Sequence, residues 1–333
     1  MLETLSAQYD ALFAWLFGTV MQPALYALGL MNYWDEAYAG TETLVLGLFE
    51  IGLLCLIALP LQRLAPAEPV QQAASVRTDL WYTLINRLGV LPLVTFAILF
   101  PIEGLIDSLA HEYGVQRVTL ETLVPWFAAH PLAAFCAYLV LFDLLGYWTH
   151  RAQHGLNWWW ELHAVHHSQQ SMTVWTDSRN HFLDDLINAM IIALAARLIG
   201  TPGTQFIWLV FVGRLIESLS HANVRFGYGP LKYLFVDPLF HRVHHAIGLG
   251  HEGRRHGVNF SVMFPVWDKL FGTARFDRAV VPTGIRDQLA GRDYGRGLWA
   301  QQGRALQRLW GRLSGLAGAR AAGTAGTAGT KDA

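Results

Sequence analysis

Hydrophobic positions along this chain fall in long runs, not in short alternations. Four runs precede the first histidine pair, at residues 12–31, 43–61, 84–106 and 132–149. Each approaches the roughly 20 residues that an α-helix needs to cross a bilayer, so the pattern predicts four transmembrane helices. Pro23 and Pro92 fall inside two of them, which membrane helices tolerate. Trp15, Trp34, Trp81, Tyr82, Trp126, Tyr147 and Trp148 stand near the ends of runs, where an aromatic belt would lie.

Two shorter runs, 186–199 and 206–216, flank the turn signal "GTPGT". They predict a helical hairpin, either re-entrant or a further pair of spans. In 281–317, Leu306, Leu309, Trp310 and Leu313 interleave with Arg304, Arg308 and Arg312 at helical spacing. That reads as a basic amphipathic helix for an anionic membrane surface, the alternative being a helix packed on its own domain. The low-complexity stretch 318–333 predicts a disordered tail.

Composition agrees with a membrane protein. Of 333 residues, 53% are hydrophobic and 15% charged, with 13 Trp, 18 Phe and 11 Tyr; mean hydropathy is +0.28. Soluble domains carry about 25% charged residues. A formal net charge of −1 offers no basic field for nucleic acid. Cys55 and Cys136 are isolated within apolar runs, so any metal must be held by imidazole or carboxylate. The N-terminus, with Glu3 and Asp10 and no basic stretch, does not read as a cleavable signal peptide. Arg63 and Arg77 lie in the 62–83 loop, against none in 32–42 and only Arg117 in 107–131. The positive-inside rule therefore puts the 62–83 loop, and with it His150 and the chain beyond, on the cytoplasmic side.

Twelve of the fourteen histidines lie between His150 and His256. "HRAQH" spaces His150 and His154 one helical turn apart. "HAVHH" (His163, His166, His167) and "HRVHH" (His241, His244, His245) put three imidazoles on one helix face. Two such triplets plus a pair exceed the needs of one ion and suit two, each with three to five nitrogen ligands. Imidazole accepts iron, zinc, copper or nickel, so these ligands alone do not choose the metal. Candidate carboxylate partners for the imidazole N–H groups are Asp143, Glu161, Asp177, Asp184, Asp185, Glu217 and Asp268. Asp143 lies two turns before His150, and Glu217 one turn before His221.

These three boxes, with the trailing "NFSVMFPVWDKLFGT", resemble the fatty acid hydroxylase / sterol desaturase superfamily of integral membrane enzymes, over about residues 79–273. "SRNHFLDD" and "SHANVRFGYGPLKYLFVDPLFHRVHH" resemble its segments after the second box and into the last. The resemblance implies a four-helix core and a cytoplasmic helical cap holding a di-metal site. It also implies two iron ions (zinc in some purified material) and O2-dependent hydroxylation or desaturation of a lipid. By motif position, His150, His154, His163, His166, His167, His241, His244 and His245 carry over as ligands, and His221 matches an isolated intervening histidine. His181 is either a ligand or a donor to one. His256, three residues before Asn259, lines the site or neighbours it; Asn259 is a further donor or a turn former. His251 is expected on an exposed loop, and His111 and His130 outside the site.

The expected architecture is therefore an all-α integral membrane protein of about four spans plus the hairpin. Its parts are N-terminal helices and loop (1–78), a catalytic domain (79–280), the basic segment and the tail. No haem, flavin or ferredoxin sequence is present, so an external ferredoxin- or cytochrome-type donor is implied, with the protein in the inner (cytoplasmic) membrane. The rival readings are a desaturase on the same site, a non-oxidative metal-binding membrane protein and a di-zinc lipid hydrolase. A transporter would favour ionisable groups in mid-span, where Glu50 is the clearest.

Overall fold

A computed structural model describes residues 2–69, 73–115, 118–251, 256–277 and 280–325. The architecture is all-helical; the β pairing among these residues is one isolated bridge, Ala246 to Thr283. The chain begins with α1 (Leu2–Leu16), which continues through a π turn at Phe17–Met21 into Gln22–Ala27. This replaces the expected span 12–31. The helix starts earlier and ends before Gly29, whose φ of +69° turns the chain. Next come α2 (Met31–Leu64), α3 (Ala73–Arg87), α4 (Val90–Glu112) and α5 (Pro131–Gly155). Among the described residues α2, α4 and α5 are long and apolar enough to cross a membrane. A second π turn, Leu54–Ala58, lies in α2 just before Pro60, as the first lies just before Pro23. Proline lacks an N–H and crowds the carbonyl one turn back; a wider turn accommodates both defects without ending the helix.

The expected span 84–106 divides. Residues up to Arg87 belong to α3, and α4 starts only after Gly89, whose φ is +89°. Pro92 then falls in the first turn of α4, where its missing N–H costs nothing. Arg117 lies outside the described residues. The hairpin is α7 (Phe182–Ile199) and α8 (Gly203–Ser220), preceded by the short α6 (Asn157–His167). At its tip Arg197 pairs with Asp107 near the end of α4, and Ile199 packs in a cluster with Ala134 and Tyr138 of α5. The hairpin thus runs the length of α4 and α5. The bundle carries apolar residues on its outside: Leu56, Leu105, Leu132 and Leu198 are 60–79% exposed, as a lipid-facing surface requires.

At the other end of the bundle α6, α9 (Pro238–His244) and the loop 256–277 close over α5. α10 (Leu298–Ala325) covers this assembly from outside. Ala305 and Leu309 pack on Trp159, Leu162 and Val165 of α6, while Arg312 and Arg308 both reach the Glu161 carboxylate, at 2.8 and 3.5 Å. Arg308 and Arg312 are thus engaged within the fold, whereas Arg304 is exposed beside Asp293, and Trp299, Leu306, Trp310 and Leu313 are exposed too. The α10 backbone continues through Ala325; residues 326–333 of the expected tail lie outside the described residues.

Candidate metal centre

Each histidine box sits on an element with a local reason to be helical there. α5 opens with Pro131 in its first turn and ends with His150 and His154 on one face. α9 is two turns long, with Pro238 in its first turn and the Asp237 side chain accepting from Phe240 N–H. This cap fixes the rotation that points His241 and His244 inward. His245 follows at its C-terminus, and His221 ends α8 in the same way.

These elements bring nine histidines into two adjoining groups. His150, His154, His163, His167 and His244 form one; His166, His221, His241 and His245 form the other. Within each, one ring nitrogen per residue lies within 4.8 Å of all the others. The groups share α6 and α9, and the His167 and His245 rings stack at 4.3 Å across the boundary. In the first group the Nε2 atoms of His154, His163, His167 and His244 are buried without a hydrogen-bond partner among the described residues. In the second, Nε2 atoms approach one another directly: His166 to His221 at 3.1 Å, His221 to His241 at 2.9 Å and His241 to His245 at 3.2 Å. Unpaired buried nitrogens are costly, and converging lone pairs repel unless a cation stands among them. The donor set fits two metal ions bound by imidazole.

Burial, reinforced by neighbouring imidazoles, holds His166, His167, His241 and His245 well below the usual histidine range. It pushes His244 down to about 3. The rings are therefore neutral at physiological pH and their lone pairs are free for a metal.

The opposite ring nitrogens show what aims the imidazoles. His163 Nδ1 donates to Asp184 Oδ2 at 3.0 Å, and that carboxylate is held in turn by Trp159 Nε1 at 2.6 Å and Gln153 Nε2 at 2.8 Å. The loop after "HRVHH" provides three carbonyls in a comb. His256 O accepts from His154 at 3.1 Å, Val258 O from His244 at 2.7 Å and Phe260 O from His150 at 2.8 Å. Left-handed φ at His256 (66°) and Asn259 (58°) gives the loop this shape. Asp268 accepts the N–H groups of Phe260 and Ser261, at 2.9 and 2.8 Å. In the second group Glu217 O accepts from His221 Nδ1 at 2.7 Å, whereas the Nδ1 atoms of His166, His241 and His245 find no partner among the described residues.

Several candidates take other places. The His181 ring is not among the grouped donors; its Nδ1 accepts from Leu183 N–H and caps α7. The Asn259 side chain clasps Phe240 O, Arg275 O and Arg275 N–H, so it is a turn former that ties the comb to α9. His256 acts through its backbone, with its ring exposed. The Asp143 carboxylate takes Met263 N–H, Phe264 N–H and Trp267 Nε1, anchoring the loop to α5 and not a histidine. Glu217 contributes its carbonyl. Of the seven carboxylates considered, Asp184 alone touches a grouped imidazole among the described residues. His251 is not on an exposed loop: it stacks on Trp160 at 3.6 Å, beside His154. His111 and His130 are exposed and remote from both groups.

A cavity of about 510 Å3 reaches both groups, touching His150, His163, His166 and His241. It runs between α4, α5, α7 and α8, inside the bundle.

A helical membrane bundle that closes histidines from three boxes around two points, with a cavity leading to them, belongs to the histidine-box class of membrane metalloproteins. Residues 135–273, which hold every histidine of both groups, match the model of the fatty acid hydroxylase family. An ornithine lipid hydroxylase of Rhizobium tropici is 28% identical over 77% of this chain and 74% of its own length. Human alkylglycerol monooxygenase is 29% identical over 49% of this chain, but only 34% of its own length is spanned. A very-long-chain aldehyde decarbonylase of Oryza sativa subsp. japonica is 29% identical over 48% of this chain and 52% of its own. No solved structure matches.

Proposed function

We propose that the protein is an O2-dependent membrane hydroxylase that oxidises a C–H bond of a lipid at a di-iron site. The observation that carries this reading is the cavity inside the bundle ending on members of both histidine groups. Two irons held by the five and the four imidazoles would supply the electrons that O2 takes up in oxidising an unactivated C–H bond. The rest is done by the chain. Asp184 and the carbonyls of His256, Val258 and Phe260 fix tautomer and aim, leaving Nε2 to face the metal. Leu91, Phe96, Phe142 and Leu209 line the cavity, exclude water and align a lipid chain with the histidines.

The names of the relatives favour hydroxylation over desaturation. A di-zinc hydrolase fits less well, because neither histidine group includes a carboxylate donor. The electrons come from a separate ferredoxin- or cytochrome-type donor. On the positive-inside reading, the histidine end faces the cytoplasm from the inner membrane. The test compares lipids of cells expressing the protein with and without air, then under 18O2. A product that appears only with air and carries one 18O atom is expected. A product formed without O2, or labelled from water, would overturn the reading.

A further inference from the structure

The side of α10 that faces away from the protein is apolar. At about 100° per residue, Trp299, Leu306, Trp310 and Leu313 fall within about 60° of one another, and Arg304, Arg308 and Arg312 fall on the opposite half of the helix. The arginine half carries the contacts. Arg308 and Arg312 reach Glu161, and Gln301, Gln302 and Ala305 beside them are buried. On the other half Trp299 and Trp310 are 76% and 73% exposed. A helix whose outer side met water would carry polar residues there; α10 carries two tryptophans and two leucines. Such a face is the composition of helices that lie in a membrane interface.

The depth of α10 can be read from α3. That helix starts beside the cap, where Ser75 donates to Gln169 at 3.1 Å, and ends at Arg87, which pairs with Glu50 near the middle of the membrane-long α2. Between these points the Tyr82 hydroxyl donates to Gln301 and accepts from Gln302 of α10, both at 3.0 Å. Tyr82 lies five residues before Arg87, a rise of at most about 8 Å, against roughly 15 Å from the midplane to the edge of the hydrocarbon. α10 therefore crosses α3 at the level of the bilayer, not above it. Its apolar stripe is also continuous with the outside of the bundle. The Trp299 ring meets Phe182, the first residue of α7, edge-on at 6.2 Å, and exposed Leu183 and Trp81 lie next to Phe182 and Tyr82 in the chain.

We infer that α10 is an interfacial helix, seated on the lipid leaflet at the histidine end of the bundle with Trp299, Leu306, Trp310 and Leu313 in the lipid. Gly303, Gln307 and Gly311, to one side of the stripe, face water. The helix then joins the bilayer to the metal centre's scaffold: its outer face holds lipid, and its inner face holds Glu161 of α6, the helix that carries His163, His166 and His167.

The test uses the full-length, metal-loaded protein in vesicles of phosphatidylcholine and phosphatidylglycerol, with Cys55→Ser and Cys136→Ser as background. Nitroxide labels are placed singly through Trp299→Cys, Leu306→Cys, Trp310→Cys, Leu313→Cys and, as reference, Gly311→Cys, where a Cβ meets nothing within 4 Å. Electron spin resonance reads collision of each label with O2, which concentrates in hydrocarbon, and with a nickel chelate, which stays in water. The four stripe labels should be reached by O2 and shielded from nickel, and the Gly311 label should show the reverse. Nickel access to the stripe equal to that at Gly311 would overturn the proposal. So would shielding of the stripe from both reagents, which would mean that protein, such as a second copy of the chain, covers it. All five positions are exposed, and the four stripe labels report independently, so one misfolded variant leaves the test standing. The readout needs no turnover, so its failure leaves the hydroxylase reading untouched.

Discussion

Aim, at the scale of single residues, is set mostly by backbone. The boxes themselves were legible because histidines three and four apart must share a helix face. Their partners were not, because a carbonyl carries no sequence signature and the comb at His256, Val258 and Phe260 closes over a hundred residues of chain to reach His150 and His154. Asp184 is the exception. Asp184→Ala removes the acceptor of His163 Nδ1 and should weaken metal affinity about 10–100-fold, as losses of such partners do; titration against a competing chelator checks it, and unchanged affinity would speak against the role. The depressed histidines make a second prediction. The folded metal-free protein resists protonating His166, His167, His241, His244 and His245, whereas unfolded histidines take up protons near pH 6.5. Below about that pH the unfolded chain binds more protons, so the melting temperature of the metal-free protein should fall as pH drops from 7 to 5. A flat or rising profile would contradict it.

Among elements, the hydrophobic runs revealed that helices exist but misplaced two of their limits. Gly29 and Gly89 turn the chain inside runs that hydropathy alone reads as continuous. The fate of α10 was hidden for a different reason. Arg308 and Arg312 suit a lipid surface and a buried glutamate equally well, and only the position of Glu161 on α6 shows that they take the glutamate. Ala305 is fully buried against Trp159 and Leu162. Ala305→Leu should overpack this seam and cost about 1–3 kcal/mol, seen as a lower melting temperature. Gly47 of α2 makes a tighter seam: a Cβ there would run into the Arg87 carbonyl of α3. Gly47→Ala should push α3 away and loosen the Glu50–Arg87–Asp177 chain of ion pairs, with a loss of thermal stability larger than that of Gly52→Ala, where a Cβ meets nothing within 4 Å. Equal losses would sink that explanation.

For the molecule as a whole, the bundle and its histidine cap form one device, with a cavity running between α4, α5, α7 and α8 and two imidazole groups at its end. The division of labour between the groups is uneven. Among the described residues, four of the five histidines of the first have an acceptor for Nδ1, against one of the four in the second. Because such acceptors strengthen metal binding, the second group should release its ion first. Metal content per chain, measured by mass spectrometry on purified protein before and during chelator treatment, tests the two-site centre most directly. Two ions per chain are expected, the first leaving readily and the second slowly. His241→Ala should hold only the slow one and His154→Ala should lose it. A single ion in the wild-type protein, or metal content indifferent to both substitutions, would contradict the two-site centre.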